Sequence, residues 1–165
     1  MTNLVQFIGN TLNQLFPSRS RLIKVDGEPY LRRFYLKHSG ILPGLYLHYF
    51  YRGDRDRELH NHPWRYSFSL ILKGGYKEER LVNNKVRVYH YKAGDVNIIK
   101  ANDFHRVVMP EGVNGTGVWT LFCSGKKVQD WGFIDPNTGE FIDWQTYEEN
   151  KSLKKRYITT DLERN

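Results

Sequence analysis

A succession of short segments rich in aromatic and β-branched residues constrains the fold of this sequence most. Most of these segments end at Gly, Asn or Asp, which favour turns. Aromatic and β-branched residues favour strands, and no long helical pattern separates the segments. The sequence therefore predicts an all-β domain, a sandwich or barrel, and a jelly roll is one way to protect its sheet edges. The predicted strands cover residues 22–25, 30–36, 45–51, 64–72, 76–82, 86–91, 96–99, 104–108, 118–123 and 131–134.

Helical spacing is predicted only near the two ends of the chain. Apolar residues recur at helical intervals before Pro17, which predicts a short amphipathic helix over residues 3–15, packed on the outside of the domain. A second helix is expected over residues 148–156. We predict a single domain over residues 1–165, with a helix and lead-in over 1–20, a β-barrel over 21–145, and a C-terminal helix and tail over 146–165.

Composition argues against several classes of protein. Cys123 is the only cysteine, so the chain forms no internal disulfide. No segment approaches the roughly 18 uninterrupted apolar residues that a membrane span needs. Polar residues also interrupt any signal-peptide core near the start of the sequence. We therefore expect a cytoplasmic protein without a membrane partner.

The chain is basic, with a formal net charge of +7 at pH 7. Such a charge is compatible with an anionic small-molecule substrate, and nucleic acid is a weaker expectation. The charge is spread along the chain, however, and its densest cluster, residues 151–156, is typical of a solvated basic tail. Exposed strand edges would also permit a homodimer.

The residues with the clearest metal-binding chemistry are His60 and His62. In an extended segment, side chains two positions apart point to the same side, so these two imidazoles lie next to each other. A metal ion needs such a pair at about 2.0–2.1 Å from its centre. The spacing also arises by chance, and a pair of solvent-facing imidazoles is the alternative.

Two motifs resemble those of the cupin superfamily over residues 45–124. The first motif is matched by Gly53, His60, His62 and Gly74, with Ser67 where most metal-binding cupins have Glu. The second is matched by Gly94, the turn at 100–102, and His105. Lys100 and Asn102 replace Pro and Gly in that turn, and Asn tolerates the left-handed conformation. The resemblance implies a jelly-roll β-barrel in which one divalent metal is held by His60, His62 and His105.

Three sequence blocks resemble more closely a group of uncharacterised cupin-like proteins common in phages and bacteria. These blocks read HxHPW over residues 60–64 with SLILKGGY over residues 69–76, GD at residues 94–95 with HRV over residues 105–107, and WTL with WGF over residues 119–121 and 131–133. The resemblance implies the same fold, in a bacterium or a phage-infected cell, and brings no settled activity.

The fourth metal ligand is open, because Ser67 is a poor one. Glu58 shares a face with His60 and His62 if the strand begins by position 58, and Asp56 is a second candidate. The alternative for Glu58 is an ion pair with a surface arginine. A carboxylate would favour Fe(II) or Mn(II), whereas three histidines alone also suit zinc or nickel. We expect Fe(II), with Zn, Mn and Ni as alternatives.

Several side chains near the motifs are candidates for a substrate pocket. Aromatic residues of the central strands are expected at the barrel mouth, where small barrels bind ligands, although they are also typical of a core. Arg33 or Arg65 would clamp a substrate carboxylate or phosphate, with a surface salt bridge as the alternative. The other pocket candidates are Tyr46, His48, Phe50, Ser67, Phe68 and Trp119.

Three functions are compatible with these residues. The first is a non-haem Fe(II) dioxygenase or other metal-dependent oxidoreductase, because three protein ligands leave open positions on the metal. The second is a non-catalytic, metal-containing module that binds a small molecule or nucleotide. The third is a metal-free sugar isomerase or epimerase, against which the paired His60 and His62 argue.

Overall fold

The computed structural model describes residues 20–25, 27–39, 42–54, 58–109, 117–135 and 138–150. The helix predicted over residues 3–15, the basic cluster at 151–156 and Asp56 lie outside these ranges. One short helix, α1, covers residues 144–150 and overlaps the start of the predicted C-terminal helix. No helix in the described ranges is long and apolar enough to cross a bilayer.

The described residues form twelve strands, and each of the ten predicted segments corresponds to one of them. The two strands that the sequence did not predict, β4 and β12, have two and three residues, too few to show a period. The strands are β1 (Ser20–Val25), β2 (Glu28–Ser39), β3 (Leu42–Phe50), β4 (Leu59–His60), β5 (Tyr66–Lys73), β6 (Gly75–Val82), β7 (Lys85–Lys92), β8 (Val96–Lys100), β9 (His105–Val108), β10 (Val118–Ser124), β11 (Gly132–Ile134) and β12 (Phe141–Asp143).

The strands pair into two six-stranded sheets. Sheet A has the order β1-β2-β3-β10-β5-β8, and sheet B has the order β12-β11-β4-β9-β6-β7. All ten strand pairings are antiparallel. Ile71 and Val118 of sheet A pack against Tyr76 and Val107 of sheet B in a buried cluster. The all-β prediction is confirmed, and neighbouring strands are often distant in sequence, as in a jelly roll.

Two turns show how local sequence positions the strands. Asn83 and Asn84 have φ values of 50° and 57°, which a two-residue hairpin turn between β6 and β7 requires. Asn102 does not adopt the expected left-handed conformation, since Asn83 and Asn84 are the described non-glycine residues with positive φ. Instead, the Asp103 amide donates to the Lys100 carbonyl at 3.0 Å, and the Asp103 carboxylate accepts from the Lys100 amide at 2.9 Å. The Asp103 side chain thus closes the turn.

The interior face of β5 begins with two polar residues, where apolar residues are usual, and becomes apolar only at Ile71. Ser67 and Ser69 are buried, whereas Phe68 between them is 43% exposed. Because successive side chains of a strand point to opposite faces, Phe68 lies on the outside of the barrel and does not line its mouth. The interior of sheet A therefore leaves room for a cavity between the sheets.

Candidate metal centre

Three imidazoles converge on sheet B. His60 in β4 and His105 in β9 are directly paired residues of neighbouring strands, and His62 follows β4 by two positions. One nitrogen from each ring lies within 4.8 Å of the other two. The Nε2 atoms of His62 and His105 are 2.8 Å apart. The pairing of β4 with β9 thus brings His105 next to His62, although the two are 43 positions apart in the sequence.

Hydrogen bonds from the start of β11 and from the segment before it hold the backbone around His62 in place. Asn61 and Gly132 are joined twice: the Asn61 amide donates to the Gly132 carbonyl at 3.1 Å, and Asn61 Oδ1 accepts from the Gly132 amide at 2.9 Å. The Gln129 side chain donates to the His62 carbonyl at 3.3 Å. The backbone around His62 is therefore fixed although it lies outside a strand.

A buried carboxylate, Glu78 in β6, fixes the orientation of His105. His105 Nδ1 donates to Glu78 at 2.6 Å, and the Glu78 side chain is inaccessible to solvent. Asn97 Nδ2 and the Arg80 guanidinium donate to the same carboxylate at 2.9 Å and 2.8 Å. In neutral His105 the proton is therefore on Nδ1, and the Nε2 lone pair is free to bind a metal or accept from His62.

The charges at the centre follow from these contacts. Burial raises the pKa of Glu78, but the bonds and charges of His105, Asn97 and Arg80 outweigh it and hold the pKa at about 2. Desolvation, His105, His60 and Arg33 lower the pKa of His62 well below its usual value, against the opposing charge of Glu78. Glu78 is thus an anion and His62 is neutral at pH 7, and metal binding requires a neutral imidazole.

Aromatic rings surround the three histidines. Trp64 stacks on His62 with ring centroids 5.7 Å apart, and Trp131 lies 6.3 Å from His60. Phe122 of sheet A is 6.3 Å from His62. These rings make the surroundings of the histidines largely apolar, so a ligand here interacts with the imidazoles in an environment of lowered dielectric constant.

The centre opens into a cavity of about 610 Å³ between the two sheets. On the sheet A side, Arg33 Nε donates to His48 Nε2 at 3.0 Å. The His48 ring stacks on Phe122 at 5.1 Å and on Tyr46 at 5.9 Å. Burial, then Arg33 and His62, lower the pKa of His48 well below its usual value, so His48 is neutral at pH 7. The cavity therefore has a histidine centre on one side and an arginine–histidine pair on the other.

Glu58 is exposed and is not part of the three-histidine group. Its carboxylate accepts a hydrogen bond from the Tyr147 hydroxyl of α1 at 2.5 Å. The expected alternation required a strand from position 58, but β4 begins at Leu59 and ends at His60. The metal-ligand assignment of Glu58 is therefore corrected: at the position before β4 its side chain pairs with the C-terminal helix.

The predicted pocket residues divide into three groups. Arg33, His48 and Phe50 line the cavity, and Tyr46 lies beneath His48. Ser67 is fully buried on the interior face of β5 but is not among the lining residues. Arg65 and Trp119 lie elsewhere: Arg65 is exposed, and Trp119, on the opposite face of sheet A from Thr120, packs on Phe34 and Tyr49. Alternation along β10 explains the position of Trp119.

Sequence reasoning missed two buried carboxylates, Glu78 and Asp54. Asp54 lines the cavity and is 2% exposed; its Oδ2 accepts from the Val107 amide at 2.9 Å, and its Oδ1 has no hydrogen bond with a described residue. The available signal for Glu78 was its position between Tyr76 and Arg80 on alternate residues of a predicted strand, which places it on the same face as an aromatic core residue. No comparable signal marked Asp54, which follows a strand end.

The donor set fits a divalent transition metal. Imidazole nitrogens bind zinc, iron and nickel, and three of them leave other positions of the metal open. Two nitrogens at about 2.0–2.1 Å from one metal lie roughly 3 Å apart, close to the separation of 2.8 Å between the Nε2 atoms of His62 and His105. The two antiparallel sheets and this centre define a protein of the cupin jelly-roll fold with a candidate three-histidine metal site.

Comparison with solved structures gives the same fold. A cupin-2 domain, Rru_A2000 from Rhodospirillum rubrum, is 15% identical and aligns with a TM-score of 0.52 over 70% of this chain and 74% of that chain. Fe(II)-HppE in complex with substrate is 12% identical, with a TM-score of 0.53 over 66% of this chain and 57% of that chain. The chain thus spans little more than half of HppE. The sequence matches no family model and no curated protein.

Proposed function

We propose that this protein is a metal-dependent oxidoreductase of the dioxygenase type that uses Fe(II) and acts on a small molecule. The observation that carries the proposal is the convergence of His60, His62 and His105 at the wall of a cavity of about 610 Å³. That volume is typical of small-molecule sites. The HppE structures with similar fold contain Fe(II), which supports iron as the metal.

The protein's own residues have defined parts in this proposal. A bound Fe(II) would supply Lewis acidity and redox chemistry at positions left open by three histidines. Glu78 keeps the proton of His105 on Nδ1, so the other nitrogen faces the centre. Trp64 and Trp131 limit water beside the histidines, which protects a reactive centre from side reactions.

A non-catalytic binding module is the second candidate. It is favoured by the all-nitrogen ligand set, which redox-silent zinc accepts as readily as iron. Close kinship to the phage and bacterial cupin-like proteins is also proposed here, and the sequence blocks from His60 to Trp64 and from Trp131 to Phe133 support it. This kinship does not distinguish the oxidoreductase from the binding module.

The test combines metal analysis with oxygen consumption. Untagged protein is loaded in turn with Fe(II), Mn(II), Ni(II) and Zn(II), and we expect about one metal per chain. The iron and zinc forms are then given small hydroxy, amino and thiol acids in an oxygen electrode. Oxygen uptake by the iron form alone supports the oxidoreductase. Bound metal without uptake favours the module, and the absence of any bound metal would overturn both.

A further inference from the structure

The sheet A wall of the cavity contains a half-buried arginine that forms no ion pair with a described carboxylate. Arg33 lies in β2, its Nε donates to His48 Nε2 at 3.0 Å, and its guanidinium carbon lies 5.1 Å from the centroid of the Tyr46 ring. Its two terminal nitrogens donate no hydrogen bond to any described residue. A cation in such a position is a candidate to bind an anion that enters the cavity.

The bond to His48 fixes the orientation of the guanidinium. Because an arginine side chain stays protonated, Nε must donate, so His48 Nε2 accepts and the proton of the neutral ring is on Nδ1. Stacking on Tyr46 and Phe122 fixes the plane of the His48 ring. The fork of the two terminal nitrogens is therefore preorganised, which is the geometry that carboxylates and phosphonates accept in a bidentate manner.

The arginine is close to the histidine centre. Arg33, His48 and the three histidines line the same cavity, and the rings of His48 and His62 both pack on Phe122, at 5.1 Å and 6.3 Å. Two further cations, Arg21 and Lys24 of β1, line the same cavity, as do two carboxylates, Asp54 and Glu148. One small molecule can therefore contact the cationic wall and the histidine centre together.

We propose that Arg33, oriented by His48, binds the acidic group of the substrate, so that the substrate is a small organic oxyanion, a carboxylate or a phosphonate. The part of this inference that concerns turnover rests on the proposed function. The binding of an oxyanion does not, because the Arg33–His48 pair contains none of the three histidines of the candidate metal centre. Arg33 is the binding residue and His48 is its positioning residue.

The experiment measures the binding of propionate and methylphosphonate by isothermal titration. Both anions are titrated into metal-free protein and into the Zn(II)-loaded form. We expect saturable binding in both forms, weakened about tenfold or more in Arg33→Gln, because a charge-assisted bidentate contact is lost. The preferred anion identifies the acidic group. Arg65→Gln removes the same charge from an exposed site and should bind as the wild type does.

Two measurements separate this proposal from folding defects and from the proposed function. In wild-type protein the ¹⁵N signal of Arg33 Nε should shift on titration, and His48→Gln, which keeps an acceptor, should bind better than His48→Leu. Absence of saturable binding, or an equal loss in Arg65→Gln, would overturn the anion site. If His105→Ala loses the metal but still binds the anion, the anion site is supported. If the wild-type protein binds anions but no metal, the proposed function is refuted and the anion site is not.

Discussion

Sheets A and B each contribute a buried histidine that is bonded to a charged side chain, and the charge of the partner differs. On sheet B, Glu78 accepts the Nδ1 proton of His105 and leaves the Nε2 lone pair available. On sheet A, Arg33 donates to His48 Nε2 and occupies the lone pair of that nitrogen. An acidic partner thus prepares an imidazole to bind a metal, whereas a cationic partner prevents binding through the bonded nitrogen.

The same comparison explains why one cavity has two chemically different walls. Near His105, the anionic Glu78 offsets the positive charge that a metal would bring. Near His48, the guanidinium attracts anions and disfavours a second cation. A substrate with an acidic end and a metal-binding end would match this polarity. Substitutions in one wall at a time test whether metal binding at the sheet B wall is independent of the residues of the sheet A wall.

The largest expected effect is the loss of metal from the sheet B wall. His60→Ala and His105→Ala should each abolish stoichiometric metal binding, because each removes one of three ligands. His48→Ala should retain the metal although His48 lines the same cavity, and exposed His90→Ala in β7 serves as the control. Metal analysis of the four variants measures the effect. Equal retention in all four would contradict the assignment of the centre.

A smaller effect is expected from the residue that orients His105. Glu78→Gln keeps the shape but removes the charge, so metal affinity should fall about 10–100-fold, the range for partners of metal-bound histidines. Thermal stability should also fall, because Arg80 loses its buried anionic partner.

The neighbouring residue supplies a matched control for Glu78. Glu79 lies one position further along β6 and forms a partly exposed ion pair with Arg106. Glu79→Gln is the same chemical change on the other face of the strand, and metal affinity should remain as in the wild type. Competition with a chelator measures both variants, and an equal loss in each would show that the charge of Glu78 has no special role.

The smallest effect is expected at the surface carboxylate before β4. Glu58→Gln should change metal affinity by less than about twofold, since exposed polar contacts contribute little. Its hydrogen bond with Tyr147 should weaken the packing of α1 only locally. The same chelator competition measures the metal affinity. A loss of affinity close to that of Glu78→Gln would show that Glu58 takes part in metal binding after all.

The all-β class, most strand positions and the three histidines could be predicted from sequence because they depend on local patterns. Alternation and turn residues define strands over short windows, as the Asn83-Asn84 turn shows. The two strands that were not predicted, β4 and β12, have too few residues to show an alternating pattern. The HxH spacing needs only an extended backbone, and the resemblance to cupins supplied His105.

Only the tertiary structure decided which charged groups accompany these histidines. Glu78 meets His105 because β6 pairs with β9, and Arg33 meets His48 because β2 pairs with β3. Such contacts depend on strand register over 27 and 15 positions of sequence, which no local pattern encodes. Glu58, by contrast, is only two positions before His60 in the sequence but lies outside the centre, since β4 begins one residue too late, at Leu59. Glu58 was predicted as a ligand because it is near His60 in the sequence, whereas Glu78 and Arg33 reach their histidines through strand pairing.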